Sequence, residues 1–219
     1  MKDRWEKLVD ASSSDIRRLA SVWRYSSIPI VADENTAEHS FWVTLYSALI
    51  LQELGDRASE SDVLGATLLY ATIHDASECV TGDIIRLMKY ATPDMKSAVD
   101  SAEDMLAKKH LHGDVLSLYG MSDSLMVTTG EKSLIKAVVK AADFISLFQF
   151  MRREALRGNL EIIPFYNRMI HDLGSANLHD VPFGNGQVFH QSQVYLALYV
   201  KAKRIADVCF HGLTGDENL

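Results

Sequence analysis

The chain has 219 residues, 47% of them hydrophobic, with a net charge of −7; it is long and apolar enough to bury a sizeable core as one domain. Its basic residues are scattered through an acidic chain, which excludes the long basic patch that a nucleic-acid polymer requires. Cys79 and Cys209 stand far apart without a CxxC pattern, so no disulfide framework is expected. No apolar run approaches the roughly 18 residues that span a bilayer, and the charged, amphipathic opening MKDRWEKLVD is not signal-like; both point to a cytoplasmic protein.

In chain order, the hydrophobic spacing predicts helices over residues 2–10 and from Ser14 to Trp23. Asn35-Thr36-Ala37-Glu38 has the form of a capping box, with Glu38 in a structural role, and opens a helix carrying His39, Trp42, Val43, Tyr46 and Ile50. His39 is expected to point inward with Trp42 and Val43. A helix beginning at Ser61-Asp62 carries His74 and ends near Gly82; others run from Pro93 to His110, Glu131 to Arg157, Ile162 to Leu173 and Gln191 to His211. The Gly, Ser and Thr cluster from Gly120 to Gly130 is a loop too short to link domains. The stripe Phe144, Phe148 and Met151 reads as core or subunit interface, and Cys79 as a small core residue. No convincing alternating strand appears, so the expected class is all-α.

Three His-Asp dipeptides occur. His171-Asp172 and His179-Asp180 lie in or beside HDLGSANLHDVPFGNG, which reads as irregular, solvent-facing chain. His74-Asp75 instead continues the apolar run DVLGATLLYATI, and a carboxylate there must be paired or bound to a cation. Asp143 raises the same demand, with Val139 and Leu147 one turn to either side. His39, His74, Asp75 and Asp143 together form a candidate metal site. Imidazole nitrogen and carboxylate oxygen suit one divalent transition metal, Mn, Fe, Co, Ni or Zn, and four protein ligands leave room for water. The other histidines, His110, His112, His171, His179, His190 and His211, lack carboxylates at convincing spacing and read as surface or structural residues.

The order H…HD…D in a helical context resembles the HD-domain metal-dependent phosphohydrolases. RYSSIPIVADENTAEHS, YATIHDASECVTGDIIRLMK and EKSLIKAVVKAAD together resemble, more narrowly, the bacterial 5′-deoxynucleotidases of that superfamily, with related phage deoxynucleoside triphosphohydrolases beyond them. The likeness runs from about Val22 to about Asn159. It implies a single HD-domain helical bundle over residues 1–219 with the metal site in its core. Residues 160–219 would serve packing or oligomerisation.

By that likeness His39, His74, Asp75 and Asp143 are the metal ligands. Glu78, expected one helical turn after His74, would take the proton of the attacking water or relay it to the leaving oxygen, or else orient a ligand from outside. Asp83, just past the Thr81-Gly82 stop, would contact the sugar, or cap the next short helix. Arg24 and Lys89 match positions that hold the substrate phosphate. Tyr25 stands where relatives usually place a tryptophan against the deoxyribose. Arg86, in a segment where relatives commonly carry prolines, adds positive charge suited to more than one phosphate.

The activity implied is hydrolysis of a deoxynucleoside monophosphate to deoxynucleoside and phosphate. The alternatives are a deoxynucleoside triphosphate triphosphohydrolase, for example on dATP, and a non-catalytic nucleotide-binding sensor. The expected partners are a small-molecule deoxynucleotide and further copies of the chain, as a dimer or larger homo-oligomer, with neither nucleic-acid polymer nor membrane.

Overall fold

The computed structural model describes residues 15–55, 61–111, 115–116, 119–120, 127–175, 180–184 and 187–210. The helix expected over residues 2–10 lies outside them, as do His112, His179 and His211. A 3₁₀ helix, Asp15–Ser21, leads into the helices α1 (Thr36–Leu54), α2 (Ser61–Ile73), α3 (Glu78–Thr81), α4 (Arg86–Lys89), α5 (Pro93–His110), α6 (Thr129–Leu156), α7 (Ile163–Ser175) and α8 (Gln191–Cys209). The α-helix expected from Ser14 is thus a tighter 3₁₀ segment with one buried residue, Leu19.

Helix α6 is the axis of the molecule. Leu134, Ile135, Val138, Ala141, Ala142, Phe148 and Phe150 are buried around most of its circumference, as a helix enclosed on all sides requires. α1, α2 and α8 pack along it, and α7 joins through α8. Tyr166, Tyr195, Ala202 and Phe210 share one apolar cluster with Val43, Leu51 and Leu134. A smaller cluster gathers Leu19, Ile73, Ala76, Cys79, Ala107 and Leu111 beneath α5, with Cys79 as a core residue.

Local chemistry fixes the helix starts. The Asn35 side chain accepts from the Glu38 N–H at 3.0 Å while Glu38 reaches back to the Asn35 N–H, closing the expected capping box. Thr128 and Glu131 repeat the device at α6, and Thr92 caps α5 with Pro93 in its first turn. α3 stops at Gly82, whose φ of 71° is a conformation that favours glycine.

Several expectations are corrected. Val181–Gly184 and Gln187–Phe189 form a short antiparallel hairpin, β1 and β2, with Val181 opposite Phe189. It rests on α6 and is too short to show an alternating pattern. His171-Asp172 lies within α7, inside the helix expected to Leu173 and not in irregular chain; the helix continues through Gly174, where a Cβ would come within 3.0 Å of the Tyr199 ring. Trp42 is 40% exposed while Val43 is fully buried, so only one of the two turns inward with His39. Among the described histidines, His110 lies 3.4 Å from Asp15 and His190 3.0 Å from Asp180, partners that tertiary packing rather than spacing supplies.

Candidate active site

The segment between Trp23 and Asn35 forms a closed loop on the face of the helices. A bridge joins Trp23 to Asn35, the Arg24 N–H donates to Glu34 O at 2.9 Å and the Thr36 N–H to Val22 O at 2.9 Å. The loop is held from below by Glu154 of α6, fully buried, whose carboxylate accepts from the Val31 N–H (2.7 Å), the Ala32 N–H (3.0 Å) and Asn159 Nδ2 (2.8 Å). This anchorage presents Arg24 and Tyr25 to the end of α2.

There the chain departs from the helix expected to carry His74 through to Glu78. α2 ends at Ile73, and the next bonds are Ala76 N–H to Ile73 O, Glu78 N–H to Asp75 O and Cys79 N–H to Ala76 O. These three-residue steps tighten the turn. His74 and Asp75 face the loop from this turn, His39 from the first turn of α1, and Asp143 from the middle of α6.

One ring nitrogen each of His39 and His74 and a carboxylate oxygen of Asp143 all lie within 4.8 Å of one another. Asp143 Oδ1 is 3.3 Å from His39 Nε2, and Asp75 Oδ2 is 3.2 Å from His74 Nε2 and 3.6 Å from His39 Nε2. Ligand atoms about 2.1 Å from one ion stand roughly 3–4 Å apart. His74 Nδ1 lies 2.8 Å from Ala71 O and His39 Nδ1 3.1 Å from Ser146 Oγ. With Nδ1 engaged in this way, both Nε2 atoms face carboxylates, an arrangement that a shared cation would satisfy. Both Nε2 atoms are indeed buried without a hydrogen-bond partner. Burial pushes His39 down to about 4, the neutral form a metal ligand needs. His39, His74 and Asp143 therefore fit one divalent ion, with Asp75 Oδ2 beside both imidazoles.

Cations stand behind the carboxylates. Arg24 Nη1 lies 3.1 Å from Asp75 Oδ2, and Lys140 Nζ 2.7 Å from Asp143 Oδ2. Burial works to raise the Asp143 carboxyl, but Lys140 and then His39 outweigh it and hold it well below the usual range; His74 and Arg24 do the same for Asp75. Glu78 accepts from Thr36 Oγ1 at 2.8 Å and lies 3.8 Å from Arg24. Burial, and then Asp75, push it up to about 9.

The remaining expected residues are divided. Asp83 Oδ2 accepts from the Tyr25 N–H at 2.9 Å, so it fixes the loop rather than capping a helix, and it lines the cleft. Tyr25 has φ of 59°, and its ring, 8% exposed, stacks on Phe150 at 4.1 Å. Lys89 reaches the cleft but is engaged by Glu103 (2.7 Å) and Asp100 (3.4 Å) of α5. The backbone of Arg86 opens α4; its side chain lies outside the described residues. Thr36, Lys140, Ser146 and Glu154 were not singled out from sequence. Only Lys140, one turn before Asp143, had a local signal.

The site opens into a cleft of about 490 Å³. Phe144, Leu147 and Met151 of α6 face Phe165 and Met169 of α7 there, with Arg168 and Asp172 paired at 3.1 Å. One apolar wall beside one charged centre suits a ligand with a flat apolar body and an anionic end.

Comparison with known proteins identifies the family and the fold. The chain is 28% identical over 149 residues to a 5′-deoxynucleotidase of Shewanella oneidensis, covering 67% of this chain and 75% of the relative. It is 29% identical over 154 residues to a 5′-deoxynucleotidase of Pasteurella multocida, covering 66% and 74%. Among solved structures, the HD-domain phosphohydrolase of Listeria innocua superposes with a TM-score of 0.60 at 18% identity, covering 88% of this chain and 86% of that one. The cyanophage S-2L HD phosphohydrolase, bound to dA and one catalytic Zn²⁺ ion, superposes with a TM-score of 0.54 at 18% identity, covering 87% and 93%. The fold is the all-α HD-domain bundle. The model of the YfbR-like 5′-deoxynucleotidases matches residues 13–190, and the chain belongs to that family.

Proposed function

We propose that this protein is a divalent-metal-dependent phosphohydrolase that cleaves 5′-deoxynucleoside monophosphates to deoxynucleoside and inorganic phosphate. The observation that carries the reading is the convergence of two orphaned imidazole nitrogens, two carboxylates and Arg24 at the head of one cleft. His39, His74, Asp75 and Asp143 would hold the ion, which is Mn, Fe, Co, Ni or Zn by the hardness of its donors. When bound, such an ion polarises phosphoryl oxygen and can lower the pKa of water from about 15.7 to about 7.

The chain's own groups do the rest. Water adds to phosphorus as the bond to the 5′ oxygen breaks; Glu78, oriented by Thr36 and kept protonated by burial, gives its proton to the departing oxygen and takes one from the water in its place. Arg24, whose Nε is buried without a partner, neutralises charge on the phosphoryl group. Tyr25 and Asp83 flank the sugar. Phe144, Leu147, Met151, Phe165 and Met169 receive the base.

Monophosphate is favoured over triphosphate by the charge of the cleft. Arg24, Lys89, Lys140 and Arg168 are each engaged by a carboxylate. With its cations already engaged in this way, the cleft is a poor field for a triphosphate. We read the chain as one domain acting in the cytoplasm as a homo-oligomer. Among the described residues no helix is long and apolar enough to cross a membrane.

The test is chromatographic analysis of products after the Co- or Mn-loaded protein meets each dNMP, each dNTP and the matching ribonucleotides. Deoxynucleoside and phosphate from monophosphates alone are expected. Deoxynucleoside with intact triphosphate would replace this reading with a triphosphohydrolase, and no product from any of them would leave a nucleotide sensor.

A further inference from the structure

A second pocket, of about 380 Å³, lies on the opposite side of α6 from the cleft's apolar wall, between α6, α1 and the base of the closed loop. Arg152, Arg153 and Arg157 line it from α6, and Trp42 and Tyr46 from α1. The three arginines are poorly compensated. Among the described residues Arg152 and Arg157 form no ion pair, and Arg153 meets only Glu34, at 4.0 Å. Nε and Nη2 of Arg153 are buried and make no hydrogen bond. Buried guanidinium N–H groups without acceptors are costly, and a planar fork fits phosphate oxygens. The aromatic side of the pocket is equally unfinished: Trp42 and Tyr46 stack with centroids 6.4 Å apart, and Trp42 keeps 40% of its surface exposed. An indole surface next to unpaired arginines presents both halves of a nucleotide's chemistry, a face for the base and forks for the phosphates.

The floor of this pocket is the back of the metal site. Ser146, which lines it, bonds His39 Nδ1 at 3.1 Å, and Glu34 Oε1 lies 3.8 Å from the same nitrogen. Arg153 sits over Phe150 at 5.2 Å, and Phe150 stacks on Tyr25. We propose that this pocket is a second binding site, distinct from the cleft, for a nucleoside triphosphate, with the base on Trp42 and the phosphates on Arg152, Arg153 and Arg157. Triphosphate matches it better than the cleft because two of its three arginines form no ion pair among the described residues and the third meets Glu34 only at 4.0 Å. An occupant drawing Arg153 from Glu34 would free that carboxylate beside His39, linking the pocket to the metal centre.

The inference stands apart from the catalytic reading because its test measures binding. Calorimetric titration of the metal-loaded protein would use ATP, inorganic tripolyphosphate and adenosine as probes, with Trp emission as a second signal. ATP is expected to bind, tripolyphosphate more weakly and adenosine not detectably. The double variant Arg153→Leu, Arg157→Leu should lose at least about tenfold in ATP affinity, two charge-assisted contacts being removed, while Arg24→Ala in the cleft leaves it unchanged. Trp42→Leu should weaken ATP but not tripolyphosphate. Should the double variant fail to fold by circular dichroism, the exposed Arg157→Leu alone carries the comparison. Binding that disappears with Arg24→Ala and survives the arginine variants would overturn the proposal, as would absence of ATP binding at millimolar concentration. Tripolyphosphate binding as tight as ATP would overturn its nucleoside part.

Discussion

Thr36 and Glu78 meet through one hydrogen bond of 2.8 Å that joins the start of α1 to the start of α3. Thr36→Val keeps the shape and removes the donor, so about 1 kcal/mol of orientation is lost. A fall in kcat of several-fold with KM and metal content unchanged is expected from steady-state kinetics and elemental analysis. Glu78→Ala should instead reduce kcat by about 10²–10⁴, the usual share of acid–base catalysis, while nucleotide binding and metal stoichiometry persist. Unchanged turnover in that variant would remove Glu78 from the mechanism. At this scale His39, His74, Asp75 and Asp143 were legible because a polar group in an apolar run must be compensated. Their company was not: Ser146 lies 107 residues from His39 and Thr36 lies 42 from Glu78. No local pattern connects such pairs. Lys89 shows the converse, a cation recognisable from resemblance whose engagement by Glu103 appears only in three dimensions.

Among elements, the helices were legible where a cap and an apolar period coincide. α1 begins after Asn35, and α5 runs from Pro93 to His110 as its spacing predicts. The turn from His74 to Ser77 was not, since a switch from four-residue to three-residue bonding leaves the same residues in the same order. The closed loop from Trp23 to Asn35 was equally hidden, because it depends on Glu154, 123 residues beyond Val31. Three donors converge on that carboxylate. Glu154→Gln places an amide N–H against a donor and Glu154→Ala leaves all three unmet, which should cost about 2–4 kcal/mol for the alanine. The looser loop carries Arg24 and Tyr25, so KM should rise in both variants, more in Glu154→Ala. Thermal melting and Michaelis–Menten analysis check the two effects together, and a stability loss with no change in KM would show that the clamp does not position Arg24.

For the whole molecule, the metal's share of stability follows from the way the site is compensated. His39 and His74 face Asp75 and Asp143 through Nε2, and Arg24 and Lys140 already neutralise part of the carboxylate charge. The apolar cluster running from α1 to α8 does not depend on the site. The chain should therefore stay folded without its ion but melt earlier. Metal at about 100 times its Kd stabilises by about 2.7 kcal/mol, and about 2–4 °C per kcal/mol for a chain of this size predicts a Tm lower by roughly 5–10 °C after chelation. His74→Ala should melt near the chelated wild type and gain little from added Co or Mn. Calorimetry of the four samples separates the cases. Loss of helical signal on chelation would make the metal part of folding, whereas identical melting with and without it would mean that these residues do not hold an ion. A shift confined to proteins with His74 intact ties the stabilisation to the same convergence from which the proposed activity was read.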